Sequence, residues 1–330
     1  MSDQHRQFEE AVAIRGITGN LATRLAIASV VFPLAFALMC VDAAAQERKT
    51  KTKQAPVDRS LRTKDDWEIK ITYYESVKGM EAEVVVLLHH EGGNRFIWQG
   101  DDGFAERLRK EGYAVISVDL RKHGESRLAA VASARNRSNG SGVRLTKDDY
   151  IRMVTLDLAA VKQFIYDEHQ RQNLNMRKTA VVAPEMSTAL AINFAWNDWM
   201  TPPFPDAPSI ESRTPRGQDV RALILLSPED KPPIRPALKD LRNPAWGVSV
   251  LICYGRNDKR DNGVSAKIQR ELLRIPENKE RVYLLDYDLP LRGTALLRKK
   301  IAIEDHMLEF LRQHLKALPD EWRDRKSRLQ

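Results

Sequence analysis

Thr179-Ala-Val-Val-Ala-Pro-Glu-Met-Ser187 is the stretch on which the fold turns. Thr179 to Ala183 is short, apolar and without polar alternation, the texture of a strand covered on both faces. Met186 to Trp196 then carries a helical pattern, so the chain passes from buried strand to helix within three or four residues. Working outward, similar runs occur at Val84 to Leu88, Ala114 to Val118, Ala222 to Leu226, Val248 to Cys253 and Val282 to Leu285. Trp67 to Tyr74 alternates instead, which predicts an antiparallel edge or half-buried strand. Helical patterns lie between the runs: Phe104 to Glu111, stopped by Gly112, then Asp148 to His169, Ala266 to Ile275 and Ile301 to Leu318. Strands alternating with helices require crossover connections, hence an α/β class with a mostly parallel sheet between helical layers. Pro202 to Gly217 is rich in Pro and Ser and reads as a surface loop.

The chain has 330 residues, 42% of them hydrophobic, with Gly and Pro at 16 each, a globular composition with room for one large domain. Leu25 to Ala45 is apolar, follows Arg15 and Arg24, and ends in Ala43-Ala44-Ala45. That is the grammar of a secretory signal, with an uncleaved anchor as the alternative. Pro33 and the shortness of the apolar run argue against a durable membrane span. The expected organisation is therefore a signal at 1–45, a basic linker at 46–65, a folded domain at 66–318 and a loosely held charged tail at 319–330, with an exported location. Part of the +8 formal charge sits in the linker, at Arg48, Lys49, Lys51, Lys53, Arg59, Arg62 and Lys64. Such a run suits an anionic polymer or surface. It has no interleaved aromatics for base stacking, which speaks against nucleic acid. With the signal removed only Cys253 remains, so no internal disulfide is expected. No Cys/His cluster has metal-ligand spacing, and no cofactor is implied.

Four local motifs follow the predicted strands, the fourth made of two stretches. His89-His90-Glu91-Gly92-Gly93-Asn94 follows the first buried run, and Asp119-Leu-Arg-Lys-His-Gly-Glu-Ser126 the second. Pro184-Glu185-Met186-Ser187 forms the strand-to-helix turn. Gly255-Arg-Asn-Asp258 follows Tyr254, and Leu289-Pro-Leu-Arg-Gly-Thr294 follows the last strand. Together, over roughly residues 66–318, they resemble the α/β-hydrolase superfamily, in particular its dienelactone-hydrolase and serine-aminopeptidase-like members. The resemblance implies a three-layer α/β/α sandwich with about eight strands. It also implies an oxyanion position formed by the backbone amides of Glu91 and Met186, and a site-bracing role for His89 and His123. His90 and Lys122 stand where the family has glycine. At the family's nucleophile turn small residues flank the apex. Glu185 at the apex leaves Ala183 and Ser187 in those positions, whereas Ser187 at the apex would put Glu185 where glycine is needed. The family's acid then falls on Asp258 and its base on Arg292; the later histidines, His306 and His314, lie in the predicted final helix.

These residues change the expected chemistry. Serine attack needs a hydroxyl and a base that accepts its proton near neutral pH. Glu185 has no hydroxyl, and a guanidinium stays protonated. One reading is a non-catalytic relative, its Glu185, Asp258 and Arg292 forming a charged cluster that binds a small molecule or serves as a scaffold. The alternative is an active hydrolase with an unconventional site, either acting on carboxylic esters or one in which Glu185 imitates the carboxylate nucleophile of dehalogenases and epoxide hydrolases.

Overall fold

The computed structural model describes residues 55–100, 102–127, 144–297, 299 and 301–329; the expected signal and residues 46–54 of the expected linker lie outside them. Eight strands form one sheet: β1 (Val57–Arg62), β2 (Glu68–Tyr74), β3 (Glu83–Leu87), β4 (Ala114–Val118), β5 (Asn175–Pro184), β6 (Val220–Leu226), β7 (Ser249–Gly255) and β8 (Val282–Tyr287). Their spatial order is β1-β2-β4-β3-β5-β6-β7-β8. The pairings β1–β2 and β2–β4 are antiparallel and all others parallel. The helices are α1 (Phe104–Lys110), α2 (Lys147–Arg152), α3 (Leu158–Gln170), α4 (Met186–Met200), α5 (Leu238–Leu241), α6 (Val264–Leu272) and α7 (Ile303–Leu311).

The unalternating runs are buried on both sides because the sheet is the middle of three layers. Val84, Val86, Val181 and Leu223 face one core with α2, α3, α4 and α6. Val85, Leu87, Val182 and Ile224 face the other, with α1 and α7. Parallel strands put all their carboxyl ends along one edge, and the loops after β3, β4, β5, β7 and β8 gather there.

Two segments are ordered beyond the expected boundaries. β1 falls within the expected linker, yet it pairs with β2 from Val57↔Tyr73 to Arg62↔Glu68. An edge strand needs only backbone donors and acceptors on one side, so its mostly exposed, charged residues left no pattern to read. The expected loose tail is also docked. Trp322 donates its indole N–H to the His169 carbonyl at 3.0 Å, and Asn175 donates to the Asp320 carbonyl at 2.8 Å. Arg325 reaches Asp219, both almost fully buried. The expected 148–169 helix is real but broken, since Met153–Asp157 is a π turn between α2 and α3. The final helix likewise ends at Leu311 and passes into a second π turn, Arg312–Lys316. Among the described residues no helix is long and apolar enough to cross a membrane.

Arg325 meets the buried Asp219 carboxylate, and the next cation, Lys162, stands 3.6 Å away. Arg325→Ala is therefore expected to cost about 3 kcal/mol, the low end for orphaning one half of a buried pair. Denaturant unfolding measures this directly, and an unchanged midpoint would show the tail to be a passive passenger.

Candidate functional site

Glu185 occupies the bend between β5 and α4 with φ 50° and ψ −117°. A positive φ on a non-glycine residue is costly and persists only where surroundings hold it. Here the Glu185 N–H donates to the Leu226 carbonyl at 2.8 Å. Its own carbonyl accepts from the Thr188 amide at 3.1 Å and hydroxyl at 2.7 Å, opening the helix. Ser187 is fully buried, and its hydroxyl donates to the His89 carbonyl, which ties the loop after β3 to the start of α4. That bond leaves the hydroxyl neither exposed nor free. It also brings the loop carrying Glu91 to the turn carrying Met186.

The Glu185 carboxylate meets Arg292, whose Nε lies 3.1 Å from Oε2. The same guanidinium donates through Nη1 to Asp258 at 2.8 Å and through Nη2 to the Pro228 carbonyl at 3.1 Å. Three loops are thus joined by one planar cation, a geometry that only arginine supplies. The three side chains are 16%, 9% and 6% exposed for Glu185, Arg292 and Asp258. Gly293 must be glycine, for its φ is 51° and a Cβ would stand 2.6 Å from Glu185 Oε1. Its N–H donates at 2.9 Å to Ser227, itself buried with φ 49°. Arg260, mostly exposed, lies 3.9 Å from the Glu185 carboxylate on the solvent side.

Around this cluster lie groups that sequence reading missed. Glu229, half-buried, has its carboxyl pushed up by burial; Arg292 opposes that and the Glu185 and Glu91 charges add to it. Tyr150 shares a hydrogen bond with Glu91, and burial raises its phenol. Neither residue sits in a motif, because Glu229 follows a strand end and Tyr150 opens a helix. Only folding brings them to this edge.

His89 and His123 are placed as braces. The Leu120 amide donates to His89 Nε2 at 3.1 Å, so Nδ1 carries the proton and donates to the His90 carbonyl at 2.8 Å. His123 Nδ1 is 2.9 Å from the Arg121 carbonyl, and the two rings lie 4.6 Å apart. Burial drives both imidazoles toward the neutral form, His89 down to about 3. Their loop is held by charge as well. Asp119 accepts from the Arg95 amide and guanidinium, both at 2.6 Å, and Gly124 (φ 47°) leaves no room for a Cβ beside that carboxylate. Lys122, in a position with φ 65° that suits glycine, pairs with Asp149 at 2.7 Å. Arg121 bonds Asp157, which the π turn directs inward. His90 turns toward the last loop, 3.3 Å from Thr294. His306 and His314 bond Tyr287 and Ser249 in the α7 layer, away from the bend. Cys253 is buried, its thiol pushed up to about 12, which leaves it unreactive. Among the described residues no group of His, Cys, Asp and Glu is arranged to hold a metal.

The chain path superposes on solved structures. An esterase from Pyrococcus furiosus superposes with a TM-score of 0.53 at 15% identity, over 79% of this chain and 92% of that one. This is the α/β-hydrolase fold. A carboxyl esterase from Bacillus coagulans matches the hydrolase fold at 0.51 and 12% identity, over 79% and 99% of the two chains. An acylaminoacyl peptidase from Pyrococcus horikoshii matches at 0.50 and 13%, over 83% of this chain and 44% of the other. Likeness at these identities establishes the fold and leaves the activity to the site. No protein-family model matches the sequence, and no curated protein does either.

Removing Arg292 leaves two carboxylates facing one another in a half-dry cleft. Arg292→Ala is expected to cost about 3 kcal/mol, with part of that recovered in the double variant with Glu185→Gln, because only one uncompensated carboxylate then remains. Equal stability of Arg292→Ala and the parent in urea would show the cluster to be energetically idle.

His89 supplies a pH signature. In the unfolded chain it takes up a proton near pH 6.5, whereas in the folded chain it resists protonation down to about 3. The unfolded state therefore binds more protons between these values, and stability falls as pH drops through that window. His89→Gln, which keeps a donor and an acceptor without a titrating ring, should flatten the slope of Tm against pH between 3 and 6.5. An unaltered slope would place the proton uptake elsewhere.

Proposed function

We propose that this chain is an exported, non-catalytic relative of the α/β-hydrolases that works as a binding or scaffold module. One observation carries the reading: the apex of the bend, where the fold displays a nucleophile, bears a carboxylate held by Arg292, which also binds Asp258. A serine mechanism lacks both its hydroxyl and its base at those positions, for the neighbouring Ser187 is buried and bonded to the His89 carbonyl. A carboxylate mechanism needs Glu185 free to attack, and a carboxylate neutralised by a guanidinium at 3.1 Å is a weakened nucleophile. It also needs a base to open the ester intermediate, and the position expected to supply one holds Arg292. Export rests on the sequence of residues 25–45, with its preceding arginines and small-residue end.

The purified chain, treated with a fluorophosphonate probe and a panel of nitrophenyl esters, is expected to remain unlabelled. Any turnover should equal that of Glu185→Gln. A covalent adduct on Ser187, or ester hydrolysis that disappears in Glu185→Gln, would overturn the proposal.

A further inference from the structure

A second concavity lies along the outer side of α3, well apart from the bend at Glu185. It has a volume of about 570 Å³, within the range of small-molecule sites. Its floor is apolar and comes largely from the π turn and α3, at Leu156, Ala159 and Ala160. Tyr166 and Phe204 add aromatic walls. Every charged side chain that lines it is basic: Arg62, Lys64, Lys162, Arg216 and Arg325. These come from four separate parts of the chain, including the strand and tail that the sequence pattern left outside the domain.

The cations fall into two groups. Arg62 and Lys64 lie just before Asp65, which sits 3.4 Å from Arg152 at the end of α2. At the other end Lys162 donates to the Arg216 carbonyl at 2.9 Å, and Arg325 reaches Asp219. Arg152 and Lys162 are ten positions apart along a path that includes the π turn, so the groups stand at most about 15 Å apart along the helix. Lys162 and Arg325 are partly neutralised by Asp198 and Asp219, which lie behind the groove and do not line it. Arg62 pairs with the exposed Asp66 at 3.5 Å, and the exposed Arg216 lies over the Phe204 ring at 5.0 Å. Arg325 is 5% exposed and its Nε–H has no acceptor among the described residues, a donor left over at the groove wall. From the start of α4 to Asp198, Lys162's partner, is twelve helical residues, or about 18 Å, so this end is remote from the bend.

We infer that this groove is a binding site for an elongated amphipathic dianion, an apolar body lying on α3 with an anionic group at each end. The apolar floor accounts for the body, and the two basic groups for the ends. A carboxylate or phosphate at either end gains from both the local cations and the absence of any acidic lining residue. The site uses none of the groups at the bend, so it stands whether or not the bend has any activity.

Calorimetric titration of the full chain with decanedioate, decanoate and 1,10-decanediol tests the inference. Decanedioate should bind saturably at one site, with decanoate about fivefold weaker and the diol about fivefold weaker again, as one exposed charge contact is lost at each step. The Lys64→Glu/Arg216→Glu double variant, altered only at exposed positions, should bind decanedioate at least tenfold more weakly. Ala159→Trp should block the floor while the Tm stays near that of the parent. Glu185→Gln should bind as the parent does. Equal affinity for the diol and the dianion, unchanged binding in the charge-reversed variant, or loss of binding in Glu185→Gln would each overturn the assignment. The last outcome would move the ligand to the bend.

Discussion

One residue, Glu185, is held at a backbone bend it would not adopt alone, with a charge at its tip that must be answered. The bend is required by geometry, since β5 ends at a sheet edge and α4 must fold back over the same sheet. The charge is answered by Arg292, arriving from the loop after β8 and reaching Asp258 after β7 with the same guanidinium. Gly293 and Ser227, each with a positive φ, let the neighbouring backbones come close enough for that meeting. A hydroxyl at the apex would ask for an imidazole; a carboxylate asks for a cation, and the surrounding loops supply one.

The same logic extends beneath the bend. Buried or nearly buried ion pairs, Arg95 with Asp119 and Arg121 with Asp157, lock the loop after β4 to β1, β2 and the π turn. Such pairs add little net stability against an apolar alternative, but removing one partner is expensive, which makes the arrangement specific. His89 and His123 complete this layer as neutral hydrogen-bonding rings, kept so by burial. The loop edge is therefore rigid whether or not anything is turned over on it.

The neighbours in known structures share the frame at 12–15% identity, and that likeness fixes the path of the chain without fixing its chemistry. The chemistry of this chain's loop edge and groove lies in its charges. Arginine stands at the cluster's centre, a lysine sits in a glycine-like conformation at 122, and basic residues from β1, α3 and the tail converge on a groove away from the bend.

The amino-acid sequence alone determined the layers of the fold. Val84 to Leu88, Ala114 to Val118 and Ala222 to Leu226 are apolar on both faces, and only a sheet covered by helices on each side satisfies such runs. It also set Glu185 between two small residues, because crowding at a sharp bend is a local constraint. Tertiary structure decided the rest, and for a common reason: these features are contacts between segments far apart in the chain. β1 is held by backbone hydrogen bonds that any side chains would permit. The tail is held by Trp322 and Arg325 finding His169 and Asp219 across some 100 to 150 residues. Glu229 and Tyr150 reach the site, and the five cations share a groove, only once the sheet has brought their elements together. Periodicity records which face of an element is buried; it carries no record of which distant charge will meet it there.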